Sequence, residues 1–422
     1  MENKSLKPKI RFKGFTEAWE QRKLGDISEI VGGGTPSTSI DVYWNGDINW
    51  FSPAEIGEQI IVNSSQRKIT KLGLEKSSAK MLPKGTVLFT SRAGIGNTAI
   101  LGDSACTNQG FQSIIPNTKL LDTYFIFSRT KELKDYGERV GAGSTFVEVS
   151  GKQMAEMELL IPKLEEQKAI GCIFKSIDNL ITLHQRKCDK LMNIKKSLLE
   201  KMFPKNGNNI PEIRFKGFTE AWEQRKLEEV FISLQNNTLS RADLSTEQGI
   251  AKNIHYGDIL VNYGEVLNVD TEKLTMIDNE SVIMKYKSSF LQNGDVVMAD
   301  TAEDETVGKC TEIDGLENQI VVSGLHTIPY RPQIKFASKY LGYYMNSNAY
   351  HNQLLPLMQG IKVTSISKTA MQKTEIIYPK TKEEQSKIGE YFCNIDNLIT
   401  LHQKKLNKLK NIKKSLLDKM FV

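Results

Sequence analysis

Two blocks of this chain occur twice, and this internal repeat limits the folds that the chain can adopt. The fifteen residues Ile10 to Leu24 return without a change at Ile213 to Leu227. The twenty-seven residues Ile177 to Phe203 return at Ile395 to Phe421 with five substitutions. The sequence between the blocks differs in the two halves. We therefore expect one scaffold built twice about a pseudo-twofold axis, holding two different binding surfaces.

The composition is that of a soluble globular protein. The 422 residues are 39% hydrophobic and 25% charged, and no apolar stretch approaches eighteen residues, so we expect no membrane span. The first residues, MENKSLKPK, lack the apolar centre of a secretory signal, which predicts a cytoplasmic protein. The five cysteines and five histidines lack the close spacings of metal ligands, so we expect no metal site.

The net charge of +6 is unevenly distributed. Residues 163–203 carry nine bases and five acids, whereas residues 204–379 carry seventeen bases and twenty-two acids. A surface that contacts phosphates normally needs an excess of Lys and Arg. Charge alone therefore does not predict that the second globular segment binds nucleic acid.

Two long helices are predicted at residues 163–203 and 380–422. Each segment follows a proline and has two glutamates in its first turn, which suits the positive end of the helix dipole. Apolar residues then recur every three or four positions, at Ile177, Leu180, His184, Cys188, Leu191, Ile194, Leu198 and Met202, and at Ile395, Leu398, His402, Leu406, Leu409, Ile412, Leu416 and Met420. A helix of roughly 60 Å cannot bury such a seam alone. We expect an antiparallel coiled coil of the two copies, with His184 and His402 packed in it; the alternative is that each helix packs only on its own domain.

The segments outside these helices predict an α/β (α+β) fold with strand-rich cores. Short apolar runs such as Gly85 to Thr90 and Gly294 to Ala299 match between the halves and are separated by turn residues. The predicted organisation is a globular domain at 10–162, a long helix at 163–203, a linker at 204–212, a second globular domain at 213–379 and a long helix at 380–422.

The motifs expected of an enzyme are absent from the sequence. There is no phosphate-binding GxxxxGK[ST] loop, and without an Asn-Pro dipeptide there is no amino-methyltransferase motif. Small polar loops occur instead, such as GGGTPSTS (Gly32 to Ser39), SRAGIGN (Ser91 to Asn97) and TNQG (Thr107 to Gly110). Such loops can contact phosphates through N–H groups and base edges through Arg, Asn and Gln. They can equally be ordinary tight turns.

The chain resembles the specificity subunits of type I restriction–modification enzymes over nearly its whole length. The resemblance lies in the RFKGFTEAWEQRKLGDI opening, GGTPST, YWNGDINWFSPAEI (Tyr43 to Ile56), LPKGTVLFTSRAGIG, and IPKLEEQKAI with its long helix. It implies two target-recognition domains separated by an antiparallel coiled coil. It also implies a non-catalytic subunit that binds double-stranded DNA. Its implied partners are two restriction subunits and two modification subunits, which carry S-adenosylmethionine and methylate adenine at N6.

With this resemblance, the polar loops become candidates for DNA contact. The candidate residues are Thr35, Ser37, Tyr43, Ser91, Arg92, Asn108, Gln109, Ser144, Asn236, His255, Tyr256, Thr301, His326 and Lys362. The acidic run Glu303 to Glu305 stands where the first half has Arg92 to Gly96, so a carboxylate there either accepts from cytosine N4 or faces solvent. The alternatives are a stand-alone sequence-specific DNA-binding regulator and an enzyme of unrecognised type.

Overall fold

The computed structural model describes residues 7–92, 94–141, 148–205 and 207–422. The chain divides into two compact units. Unit 1 comprises residues 1–184 together with 405–422, and unit 2 comprises residues 185–404. Each unit therefore contains one recognition segment and parts of both long helices. This division differs from the predicted domains, which treated the helices as separate segments.

Unit 1 is built from two sheets and a two-stranded ribbon. Its strands are β1 (Glu20–Lys23), β2 (Ser28–Gly32), β3 (Trp44–Phe51), β4 (Ile61–Val62), β5 (Arg67–Ile69), β6 (Val87–Phe89), β7 (Thr98–Leu101), β8 (Cys106–Thr107), β9 (Gln112–Pro116) and β10 (Glu158–Ile161). The larger sheet has the order β2-β9-β6-β7-β4, the smaller has β5-β3-β8, and β1 pairs with β10. Its helices are α1 (Leu24–Ile27), α2 (Lys71–Glu75), α3 (Thr123–Ser128), α4 (Thr130–Gly141), α5 (Gly151–Ala155) and the first part of α6 (Leu164–Lys201).

Unit 2 repeats this architecture. Its strands are β11 (Glu223–Lys226), β12 (Phe231–Ser233), β13 (Ala251–Ile254), β14 (Val266–Asn268), β15 (Thr275–Ile277), β16 (Val296–Ala299), β17 (Thr301–Ala302), β18 (Cys310–Asp314), β19 (Ile320–Ser323), β20 (Thr327–Pro332), β21 (Thr364–Ser365) and β22 (Glu375–Tyr378). Its helices are α7 (Leu227–Val230), α8 (Tyr256–Val261), α9 (Glu280–Met284), α10 (Tyr340–Asn346), α11 (Asn348–His351), α12 (Lys368–Met371) and part of α13 (Lys382–Met420). The sheet orders are β12-β20-β16-β18-β14, β15-β13-β19 and β11-β22, with an added ribbon β17-β21. The predicted α/β fold with two similar strand-rich domains is confirmed.

The central strand of each larger sheet forms for the same local reason. Strand β6 and strand β16 are short, wholly buried apolar runs, as expected for strands covered on both faces. Each follows a glycine with positive φ, Gly85 at 86° and Gly294 at 89°. Glycine adopts this conformation without strain, so the chain turns at the same point in both units before it enters the sheet.

The two long helices run antiparallel within each unit. In unit 1, Lys413 Nζ lies 2.6 Å from Asp178 Oδ1, while Phe421, just beyond the end of α13, packs on Phe174. The residue number therefore rises along α6 as it falls along α13. These contacts exclude the alternative that each helix packs only on the domain of its own repeat.

Unit 2 shows the equivalent contacts between the helices, but here the lysine lies on α6 and the aspartate on α13. Lys195 Nζ lies 2.7 Å from an Asp396 oxygen and 2.8 Å from a Glu265 oxygen, and the Tyr343 hydroxyl donates to Asp396 over 2.6 Å. In unit 1 the Tyr124 hydroxyl donates to Asp178 over 2.9 Å in the equivalent place. Each ion pair thus joins both long helices to the recognition domain of the unit.

An aromatic side chain at the end of each repeated block completes the core of a unit. Phe203 is buried against Trp222, Tyr340, Tyr344 and Phe392 in unit 2. Its repeat copy in unit 1, which packs on Phe174, also contacts Trp19 and Phe125 and is half-buried. The end of a helix from one repeat is therefore part of the hydrophobic core formed by the other.

The buried line along each helix differs from the predicted seam. Ile177, Cys188 and Met202 are buried, whereas Leu180 and Ile194 are 44% and 38% exposed. The copies in the second block, Ile395, Leu406 and Met420 against Leu398 and Ile412, behave in the same way. Residues eleven or fourteen apart are about three or four turns apart and share a face, so the partner helix covers one line and leaves the flanking leucine and isoleucine residues exposed. His184 and His402 are half-buried.

Candidate nucleic-acid interface

Three loops of unit 1 meet at one place because their main chains are hydrogen-bonded to each other. The Gly34 N–H donates to the Thr107 carbonyl over 2.8 Å, and the Ser91 N–H donates to the Gly110 carbonyl over 2.8 Å. The Val149 N–H donates to the Ser91 carbonyl over 3.0 Å. The loops that follow β2, β6 and β8 are therefore held together, and the segment before α5 is bonded to them.

The predicted side chains Thr35, Arg92, Asn108 and Gln109 come together on these loops, and we call them loop cluster 1. Thr35 Oγ1 donates to Gln109 Oε1 over 2.5 Å, and Asn108 Oδ1 accepts from the Gly110 N–H over 2.8 Å. A Cβ placed on Gly110 would lie 3.6 Å from Nε of Arg92 and 3.1 Å from Oδ1 of Asn108. The cluster thus combines amide, hydroxyl and guanidinium groups within one small area.

Two members of this region differ in how they are buried. Arg92 is half-buried, and among the described residues its guanidinium has no hydrogen-bond or carboxylate partner. Ser91 is fully buried, and its Oγ has no partner among the described residues. Arg92 therefore offers free donors at the surface, whereas the Ser91 side chain lies beneath it and is not placed for direct contact with DNA.

Two further candidates of the first half make separate contacts. Ser37 is exposed and bonds to Ser39, and its carbonyl accepts from Trp44 Nε1 over 3.0 Å. Tyr43 is half-buried and packs against the small core that contains Trp44. The last candidate of this half, Ser144, lies outside the described residues.

The guanidinium of Arg67 is a feature of unit 1 that the sequence reasoning missed. It stacks 3.7 Å from the centre of the Trp44 ring and is itself exposed. This arrangement depends on the pairing of β3 with β5, in which Trp50 is opposite Arg67. Cross-strand pairing brings together residues far apart in the chain, so no local sequence signal could have identified it.

Unit 2 has the same three main-chain hydrogen bonds. The Asn237 N–H donates to the Ser323 carbonyl over 2.8 Å, and the Asp300 N–H donates to the His326 carbonyl over 3.1 Å. The Ile366 N–H donates to the Asp300 carbonyl over 2.9 Å. The bonds make Asp300 the counterpart of Ser91, and His326 the counterpart of Gly110.

The side chains at this place in unit 2 are different, and we call Tyr256, Asp300, Thr301 and His326 loop cluster 2. Thr301 Oγ1 donates to Asp300 Oδ1 over 2.8 Å, and His326 Nδ1 lies 3.4 Å from the same oxygen. The Tyr256 ring meets the His326 ring edge-on at 5.2 Å. Sequence reasoning missed Asp300, although aligning the two halves on their central strands would have revealed its position.

The other candidates of the second half have separate roles. The Asn236 amide donates to the Gly324 carbonyl over 3.2 Å and so supports the loop after β19. His255 is buried, and its Nδ1 accepts from the Gly257 N–H at the start of α8. Burial, and secondarily the charge of Arg241, lowers the pKa of His255. Lys362 is exposed in the turn that leads into β21.

The acidic run Glu303 to Glu305 faces solvent. All three side chains are exposed, and Asp304 accepts from the Thr306 N–H and hydroxyl. The Thr306 hydrogen bonds lower the pKa of Asp304. These contacts favour the solvent-facing alternative for this run, and the carboxylate that belongs to loop cluster 2 is that of Asp300.

In the ranges that the structure describes, no group of three or more His, Cys, Asp or Glu side chains could hold a metal ion. No helix among the same residues is long and apolar enough to cross a membrane.

Comparison with known families identifies this architecture. The profile described as the type I restriction modification DNA specificity domain matches residues 16–193 and again 219–411. The chain belongs to this family. The two matches coincide with the two halves of the repeat, and the family assignment made from the repeated motifs is confirmed.

Individual relatives agree with this assignment. The specificity subunit of the type I restriction enzyme MjaIX from Methanocaldococcus jannaschii is 37% identical over 188 residues, which are 44% of this chain and 44% of that protein. The MjaVIII specificity subunit of the same organism is 22% identical over 413 residues, covering 95% of this chain and 92% of that protein. The match to the first relative thus spans less than half of its length.

A solved structure shows the same fold. The crystal structure of the S subunit of a type I restriction–modification system from M. genitalium has a TM-score of 0.56 and 13% sequence identity. The similarity covers 99% of each chain. At this identity the likeness supports the architecture of two strand-rich units with long helices, and no individual side-chain role.

Proposed function

We propose that this chain is the DNA-reading specificity subunit of a type I restriction–modification complex and that each unit reads one half of an asymmetric, bipartite target. The observation that carries the proposal is that both units keep the same three main-chain hydrogen bonds while their loops present different side chains. A repeated frame with unlike surfaces suits two half-sites of unlike sequence.

The chemistry of loop cluster 1 suits base edges in the major groove. Guanidinium and amide groups combine donors and acceptors at fixed spacing, as Arg does for guanine and Asn or Gln for adenine. Loop cluster 2 offers a carboxylate, a hydroxyl, an imidazole and a phenol. The two clusters therefore differ in the bases that they would select.

The proposal assigns methylation and DNA cleavage to partner subunits. Two modification subunits, which carry S-adenosylmethionine and methylate adenine at N6, would bind this chain, and two restriction subunits would complete the complex. Support comes from exposed leucines that the repeat duplicates, Leu180 and Leu183 on α6 and Leu398 and Leu401 on α13. Leucines three residues apart share a helix face. Two identical apolar faces would suit two copies of one modification subunit.

Charge substitutions test this docking proposal. Changing Leu180 and Leu183 together to Glu should leave a complex with one modification subunit, because the second leucine pair is intact. Changing all four leucines should leave none. Leu72→Glu, at an exposed leucine outside the repeat, is the control. Native mass spectrometry of the co-expressed complex counts the subunits, and two bound copies in the four-leucine variant would contradict the proposal.

Mapping N6-methyladenine in cells with and without this gene tests DNA reading. We expect a set of methylated adenines that depends on the chain and lies in one bipartite, non-palindromic sequence. A continuous palindrome would contradict the proposal. Specific duplex binding by the isolated chain, with no methylation in its presence, would instead favour a stand-alone DNA-binding regulator.

A further inference from the structure

Each unit has one point at which the loop after the central strand is hydrogen-bonded to two other segments, and we call this point the node. In unit 1 the node consists of Ser91, Arg92 and Gly110, and in unit 2 of Asp300, Thr301 and His326. The equivalence rests on the main-chain hydrogen bonds described above, and it is extended by the strand-like contact of Arg92 with Glu148, which matches the pairing of β17 with β21. Because the backbone is the same, the side chains are what differ.

Arg92 is unusual among the part-buried arginines of this chain. Arg11, Arg214 and Arg331 each form an ion pair with Glu or Asp at 2.7 Å or less. Arg92 has no such partner within the described residues, although it is half-buried beside Asn108 and Gly110. A partly desolvated guanidinium without acceptors is unfavourable, so a ligand that supplies two acceptors would be stabilised here.

Guanine supplies such acceptors in the major groove. Its O6 and N7 atoms accept the two parallel hydrogen bonds that a guanidinium donates. A DNA phosphate also offers two acceptor oxygens, but a phosphate contact carries no sequence information. The neighbouring amides of Asn108 and Gln109 favour a base over a phosphate as the ligand, because they are uncharged and add no attraction for a phosphate, whereas such amides can read base edges.

The node of unit 2 carries the opposite charge. The Asp300 carboxylate is held by the Thr301 hydroxyl at 2.8 Å and lies 3.4 Å from His326 Nδ1. Its side chain is partly exposed, so one oxygen can face a ligand. A carboxylate opposite guanine O6 and N7 would be repelled, whereas cytosine N4 donates a hydrogen bond to it.

We infer that the node is a base-reading point in each unit: Arg92 binds a guanine in one half-site, and Asp300 accepts from cytosine N4 in the other. This inference rests on the proposed DNA-reading function. It assigns a different base to each half-site from side chains of the same node, although Asp300 stands at the position of Ser91 and Thr301 at that of Arg92.

Substitution at the nodes tests the assignment in the complex with the modification subunit. Arg92→Ala should remove the requirement for guanine at one position of one half-site, a loss of discrimination of about 5- to 150-fold. Arg22→Ala removes the same charge from strand β1 of the same unit and is the matched control. Asp300→Asn should alter one position of the other half-site, from cytosine towards adenine, because an amide both donates and accepts.

A measurement on the unaltered protein separates base reading from misfolding. Replacing each guanine of the half-site in turn by 7-deazaguanine removes only N7, and one replacement should weaken binding about tenfold or more if Arg92 contacts that base. The Arg92→Ala complex should be insensitive to the same replacement. If that variant cannot be purified, the effect of the analogue on the wild-type complex decides the assignment.

Several outcomes would overturn the inference while leaving the proposed function intact. One is a half-site without guanine, and another is wild-type binding that is indifferent to 7-deazaguanine at every position. A third is uniform weakening by Arg92→Ala without any change in sequence preference, which would make the contact a phosphate contact. Absence of any methylation directed by the wild-type chain would overturn the proposed function, and this inference with it.

Discussion

Lengthening both long helices should widen the gap between the two half-sites. The structure indicates where to insert residues. The Asp178–Lys413 ion pair belongs to unit 1 and the Lys195–Asp396 ion pair to unit 2. Four helix-forming residues placed between positions 189 and 190, and four more between positions 407 and 408, lie between these ion pairs on each helix. Both pairs can therefore still form in the variant.

The size of the effect follows from helix geometry. Four residues add about 6 Å at 1.5 Å per residue, which is close to the rise of two base pairs at about 3.4 Å each. The insertion also adds about 40° of rotation beyond one full turn. Two base pairs rotate DNA by about 70°. The difference between this rotation and that of the lengthened helices should lower the methylation activity of the complex without abolishing it.

Methylation mapping reads the result directly. We expect both half-sites to be unchanged and the spacer between them to grow by about two base pairs. Inserting four residues into the linker near residues 205–211 is the control and should leave the spacer as it was, because this linker lies outside both long helices and within unit 2. An active double-insertion variant with an unchanged spacer would refute the idea that the helices set the separation.

Three further predictions test the packing of the units. Phe203→Ala should lower the free energy of unfolding of unit 2 by about 3–5 kcal/mol. Substitution of its half-buried copy Phe421 should lower that of unit 1 by less. Hydrogen exchange of the amides in each unit measures both effects. Lys195→Met leaves the part-buried carboxylates of Glu265 and Asp396 without their cation. The amide hydrogens of unit 2 should therefore exchange faster in this variant than in a Lys196→Met control. Burial raises the pKa of Glu312 to about 7, so this group favours the folded state below its ordinary pKa and loses that contribution as pH rises through about 7. The stability of wild type relative to Glu312→Gln, measured by denaturant unfolding, should therefore fall over that pH range.

The repeated sequence blocks predicted the scaffold because their residues form it. Arg11 of the first block pairs with Glu166 at the start of α6, and Arg214 of the repeat pairs with Glu384 at the start of α13. The Ile213 N–H donates to the Lys201 carbonyl over 2.9 Å in unit 2. These contacts explain physically why the opening block and the helix block recur together, and why the sequence could reveal the fold.

The partners of each helix and the arrangement of the loops were harder to predict. Apolar spacing identified both helices, but residues such as Leu180 fit a seam in sequence and are exposed in the structure. The side chains of the candidate site were recognised by type, yet burial separates Ser91 and His255 from the surface. Asp300 was missed because the two halves were not aligned residue by residue on their central strands, which places it opposite Ser91.

Duplicating one recognition segment tests most directly the claim that each unit reads its own half-site. Residues 24–157, between β1 and β10, would be replaced by a second copy of residues 227–374, between β11 and β22. The flanking strands pair in the same antiparallel register in both units, from Glu20 opposite Ile161 and from Glu223 opposite Tyr378. The account predicts that the methylated site becomes an interrupted palindrome made of two copies of one native half-site. Retention of the native asymmetric site, or a change in both half-sequences, would contradict it.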